Sequence, residues 1–95
     1  MLEINPTKKI QRIDKDVTET EVEGSVVLLH IENGQYYNFN KTGSDLWNGL
    51  AQPLSMNELV KLIVDKYSIT TDDCQKDILV WLNDAFEHKL IQFVD

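Results

Sequence analysis

The chain has 95 residues, 42% hydrophobic and 26% charged, with 16 Asp and Glu against 9 Lys and Arg for a formal charge of −7. That length and balance give one globular domain, 1–95, with a single modest core, and exclude global disorder. No apolar run nears the roughly 18 residues that span a membrane, no secretory pattern opens the chain, and the lone Cys74 admits no internal disulfide, so a cytoplasmic setting is expected.

The charge is uneven. Lys8, Lys9, Arg12 and Lys15 against Glu3, Asp14 and Asp16 leave residues 1–16 at +1 and the rest at −8. So acidic a body repels a phosphate backbone and attracts a basic peptide or a basic protein face.

Residues 1–15 are either a loose arm or, through 8–13, a further strand. Residues 17–40 then alternate in the manner of strands. The stretch 17–23 pairs with the apolar run 25–31 through a turn at Glu23-Gly24. Asn33-Gly34 predicts a type I′ turn leading into 35–40, because both residue types tolerate positive φ. The run 25–31 is apolar almost throughout, as suits a strand central in its sheet or covered on both faces. In 35–40, Tyr37 and Phe39 share one face, with Tyr36, Asn38 and Asn40 on the other.

From residue 41 the period becomes helical. A first helix opens near Thr42, buries Leu46, Trp47 and Leu50, and ends at Gly49 and Pro53. The second starts with an S-x-x-E capping box, Ser55 and Glu58, and a hydrophobic staple of Leu54 and Leu59. Its apolar residues are Leu59, Leu62, Ile63 and Tyr67. A third begins around 70–73 and carries the stripe Cys74, Ile78, Leu82, Ala85 and Phe86, flanked by Trp81. Residues 90–94 alternate again as a closing strand. The expected class is α+β, a three-stranded antiparallel sheet followed by three helices (β-β-β-α-α-α) in a winged helix-turn-helix-like arrangement. So short a chain leaves a strand edge or groove open, and that edge makes either a monomer or a weak dimer conceivable.

Catalysis needs a nucleophile or an acid–base pair within reach, and none is evident. His30 lies in the apolar strand, and His88 suits the C-terminal end of the third helix. Cys74 sits on an apolar stripe, where it behaves as a small hydrophobe. Asp73 and Asp77 share a helix face that Asp72 does not, and no loop has the spacing of a calcium site. The reading is a non-enzyme without metal or cofactor. Nucleic acid is also disfavoured, because residues 72–89 carry five acids against two lysines on the helix that would approach phosphate.

The ordered motifs then matter together. They are the hydrophobic strand 26–31, the Asn33-Gly34 turn and a tyrosine-bearing strand ending in Phe39-Asn40. After them come the small-residue step Thr42-Gly43-Ser44 and a helix with Trp47 inside. With Ser55, Glu58 and Leu59, then Asp77-Ile78, Trp81-Leu82 and Leu90-Ile91, the chain resembles the PqqD family over about residues 17–94. Phe39 stands where that family has leucine, and Lys89 where glycine is common. The resemblance implies a RiPP recognition element, which binds the leader segment of a ribosomally made precursor peptide. It implies delivery to a maturation enzyme such as a radical SAM protein or a lasso-type leader protease. It also implies that the leader joins the sheet edge as an extra strand against the third helix.

Strand 35–40 would be that edge. The residues expected to bind peptide are Gln35, Tyr36, Tyr37, Asn38 and Phe39 on the strand, and Asp73, Asp77, Val80, Trp81 and Asp84 on the helix. Trp81 serves as an anchor, while Asp77 and Asp84 receive Lys or Arg. Each also has a plainer role, the aromatics as core and the acids as a solvated face. The other class of function is a winged-helix adaptor or regulator that contacts a protein without any leader ligand.

Overall fold

A computed structural model describes residues 4–94. Its central feature is an antiparallel meander of β2 (Val17–Val22), β3 (Ser25–His30) and β4 (Gln35–Asn38), which leaves β2 and β4 as edges. Along β3 the side chains of Val26, Leu28 and His30 are buried, while Ser25, Val27 and Leu29 are half-buried. The apolar run is therefore a central strand with one face in the core.

The first of the two turns lies at Glu23-Gly24 as expected, and the second differs. Val22 pairs with Ser25 across Glu23 and Gly24, and both of these have positive φ (52° and 82°), as a type I′ turn requires. The Asn33-Gly34 connection is instead a four-residue loop, because His30 pairs with Gln35. Within it only Gly34 has positive φ, and the Asn33 side chain accepts the Gln35 N–H at 2.9 Å. Strand β4 ends at Asn38 because Asn40 caps the first helix, its side chain accepting the Gly43 N–H at 2.8 Å. That helix, α1 (Lys41–Gly49), thus opens just before Thr42.

Residues 90–94 supply the expected closing strand, and residues 8–13 supply the further strand rather than a loose arm, β1 (Lys9–Arg12). It is the centre of a second antiparallel sheet between β5 (Leu54–Ser55) and β6 (Ile91–Phe93). Ile10, fully buried, fastens it to the core. Among the described residues the class remains α+β with three helices, but six short strands form two sheets. Helix α2 (Met56–Tyr67) begins at the capping box: the Ser55 hydroxyl accepts the Glu58 N–H, and the Glu58 carboxylate accepts the Ser55 N–H. Lys9 donates to the same carboxylate, and this bond leads in holding Glu58 below the usual carboxylate range. Leu54 and Leu59 both approach Gly49, closing the staple against α1.

Helix α3 (Thr71–Glu87) buries Cys74, Ile78, Leu82 and Ala85, and leaves Phe86 and Trp81 half-buried. Leu62 is more exposed than its spacing on α2 suggested, and Met56 and Val60 are buried in addition. Trp47 of α1 is fully buried, with the Arg12 guanidinium 5.1 Å above its ring. Among the described residues no helix is long and apolar enough to cross a membrane.

The α1–α2 junction is pinned by Asp45, which takes bonds from Lys66 (2.8 Å) and from the Tyr67 hydroxyl. Partial burial of the Asp45 carboxyl raises its pKa, but these bonds outweigh it and hold the value below the ordinary one. A carboxyl lowered in the fold contributes stability above its unfolded pKa, and loses it as pH falls through the folded value. The melting temperature is therefore expected to fall on acidification below the ordinary aspartate range. In Asp45→Asn that part of the pH dependence is expected to vanish. Thermal melts of both chains across that window are the check.

Candidate functional site

The site grows from the strand edge. Phe39 donates its N–H to the Val26 carbonyl at 3.0 Å, and antiparallel pairing alternates the bonded residues. Tyr37 and Phe39 therefore direct backbone groups towards β3, while Tyr36 and Asn38 direct theirs outwards. Among the described residues no strand pairs with that outer side of β4.

Helix α3 lies across from this edge, and between them runs a groove of about 340 Å³. Tyr36, Tyr37, Asn38 and Phe39 line its strand side, Trp81, Asp84, Ala85 and His88 its helix side, and Leu90 its end. The aromatic floor is continuous: Phe39 stands 5.4 Å from the Trp81 ring and 6.0 Å from that of Trp47. The Tyr37 ring meets His88 edge-on at 5.1 Å, and its hydroxyl donates to the Gln35 side chain at 2.8 Å. His88 Nδ1 lies 2.8 Å from the Asp84 carbonyl, which can only accept, so Nδ1 holds the hydrogen.

Trp81 also borders a second hollow of about 350 Å³, shared with Asp77, Ile78, Thr42 and Gly43. A Cβ on Gly43 would lie 2.9 Å from Trp81 Nε1 and 3.2 Å from Phe39 Cβ. The glycine thus lets the indole close over the start of α1. In Gly43→Ala the indole is expected to shift, at a cost of about 1–3 kcal/mol for overpacking. Displacement of the Trp81 indole N–H resonance, together with a lower urea midpoint, is the measurement. An unmoved resonance would rule out this contact.

The structure gathers six of the expected residues into the groove: Tyr36, Tyr37, Asn38, Phe39, Trp81 and Asp84. Asp77 lies in the adjoining hollow. Gln35 opens β4 and supports Tyr37. Asp73 sits in the first turn of α3, where its N–H is capped by Thr70, and Val80 is 58% exposed. These three do not line the groove. Ala85, His88 and Leu90 do, although sequence reasoning gave them other roles. The positions 81, 84, 85 and 88 recur at the spacing of one helix face, and that spacing could have found two of the three.

Chemically, the arrangement offers an unpaired strand edge, an aromatic wall and two carboxylates on the facing helix. Among the described residues no group of His, Cys, Asp and Glu is placed to hold a metal ion.

Residues 25–91 match the family model described as Coenzyme PQQ synthesis protein D (PqqD). One similar solved structure is TbiB1 in complex with the TbiA(beta) leader peptide. It has 26% identity and a TM-score of 0.77, covering 90% of this chain and 100% of that chain. A second is a lasso peptide synthetase B1 complexed with the leader peptide. There the identity is 17% and the TM-score 0.75, over 87% of this chain and 96% of that chain, which is a likeness of fold. No curated protein sequence matches.

Proposed function

The chain belongs to the PqqD family, and from that premise we propose that it binds the leader segment of a ribosomally synthesised precursor peptide and presents it to a maturation enzyme. The observation that carries this reading is the open β4 edge facing α3 across an aromatic groove. It occurs in a chain that shares 26% identity over 90% of its length with TbiB1, whose structure holds a leader peptide.

In this reading the leader adds to β4 as a further strand. The outward N–H and C=O groups of Tyr36 and Asn38 supply sequence-tolerant affinity, and the groove selects side chains. Apolar leader residues settle against Tyr37, Phe39 and Trp81. Asp84 and Asp77 receive Lys or Arg, and Gln35, Asp73 and Val80 form the outer margin. The three helices beside the meander make a winged helix-turn-helix-like arrangement turned to peptide, since the acidic α3 repels nucleic acid. The chain itself performs no chemistry. Its partner is an enzyme of the radical SAM or lasso-type leader protease class.

The test is a titration of the isotope-labelled chain with the leader of the precursor encoded beside its gene. Binding in the micromolar range or tighter is expected, with shifted and exchange-protected amides at Tyr36 and Asn38 and shifts along 73–84 of α3. If that leader moved none of those resonances, the reading would fail and an adaptor without a leader ligand would be left.

A further inference from the structure

The face of the β2–β3–β4 sheet turned away from the helices carries no charged side chain. By register it presents two cross-strand rows, Thr18, Leu29 and Tyr36, then Thr20, Val27 and Asn38. The pair Val22 and Ser25 completes it. In a chain that is 26% charged, an open sheet face would ordinarily carry Lys and Glu among its outward positions. Here Val22 is 55% exposed and Tyr36 68% exposed, with Val27 and Leu29 half-buried between them. A neutral surface that carries a tyrosine suits an interface centre, where charge is depleted and aromatics are enriched.

The ends of the face are mainly acidic. Glu23 stands in the β2–β3 turn at one end, and Asp16 and Glu32 stand in the loops at the other, with Lys15 next to Asp16 in sequence. A second copy would bring another −7 against the first, which opposes pairing of like chains. A partner with an apolar centre and a Lys- and Arg-rich rim is complementary at both levels. The face is also continuous with the groove, because Tyr36 and Asn38 belong to both. A strand seated on β4 would widen this face and turn alternate side chains into it.

We propose that this face docks the enzyme that acts on the bound precursor, through an apolar patch rimmed by Lys and Arg on that enzyme. The partner's identity rests on the leader-binding reading; the face itself does not. The enzyme then touches sheet and leader together, so that a loaded chain offers a larger surface than an empty one.

Two variants test this, Val27→Lys at the centre of the face and Thr20→Lys on the edge strand. Neither position lines the groove. The probes are the labelled leader and the enzyme encoded beside the chain's gene, measured separately by anisotropy and by calorimetry, with sedimentation for self-association. Both variants are expected to bind the enzyme about tenfold more weakly or worse, and the leader within about twofold of the unaltered chain. If circular dichroism shows Val27→Lys unfolded, the exposed Thr20→Lys decides alone. Enzyme affinity unchanged in Thr20→Lys overturns the proposal, as does parallel loss of leader affinity or an unaltered chain that binds no enzyme. A dimer that the lysine abolishes overturns it in favour of a second copy. A chain that binds the enzyme but no leader keeps the face and sinks the leader reading.

Discussion

An Asn38→Pro chain is expected to keep its fold and lose its leader peptide. Asn38 lies on the open edge, and the alternation set by the Phe39-to-Val26 bond turns its N–H away from β3. Proline removes a donor that the folded chain does not use, and edge strands tolerate it there. The incoming strand loses that bond, worth about 0.5–1.5 kcal/mol net, and meets the pyrrolidine ring where its own backbone should lie. A loss of about tenfold or more in affinity follows, with a melting temperature close to that of the unaltered chain. Tyr37→Pro is the contrast, because it removes an N–H directed at β3 and should unfold the meander. Asn38→Ala, which keeps the backbone donor, should lose less affinity than Asn38→Pro. Equal losses from the alanine and the proline would show that the side chain, and not the strand edge, holds the peptide.

Trp47→Ala is expected to cost about 3–5 kcal/mol, the range for truncating a large buried aromatic side chain. A domain of this size has only about 5–15 kcal/mol to lose. Trp47 is fully buried and is the largest side chain in the core. It also backs Phe39 on one side and carries the Arg12 guanidinium on the other, with Arg12 paired to Asp14 at 2.9 Å. The truncation therefore loosens both sheets and the aromatic floor of the groove at once. Urea unfolding should show the midpoint falling sharply, and leader affinity should fall even in variant that remains folded. A change under about 1 kcal/mol would mean that the core can close over the gap.

Much of this was legible where local chemistry has a single solution. The capping box at Ser55 and Glu58 and the stripe from Cys74 to Ala85 appear as their spacing requires. The position of β4 at the sheet edge follows from the order of a meander. The hairpin loop shows where periodicity runs out. A two-residue turn at Asn33-Gly34 would set Leu28 opposite Phe39, whereas Leu28 faces Tyr37. The two registers differ by two residues, so the same side chains point inwards in both, and alternation cannot choose between them. The second sheet was only partly visible, for a different reason. The stretches 8–13 and 90–94 did show alternation, but Leu54–Ser55 is too short to carry a period, and only long-range pairing joins the three into one sheet. His88 escaped because its role depends on Tyr37, fifty-one residues away in the chain and 5.1 Å away in space.

The meander has two free edges, not one. A β4 edge meeting the β2 edge of another copy would make a head-to-tail contact, which builds a fibre wherever its rotation does not close a ring. The chain sets acid against acid along that route. Glu19 and Glu21 lie on β2, and Asp84 borders the groove beside β4. Such repulsion reaches about 10 Å at 0.1 M salt and less as salt rises, so filament growth is a hazard of concentrated, salty or acidic solutions. Any strand seated on β4 removes the growing end. A peptide cargo in that position is then also a chain terminator, and the empty protein is the species that has most need of its negative charge.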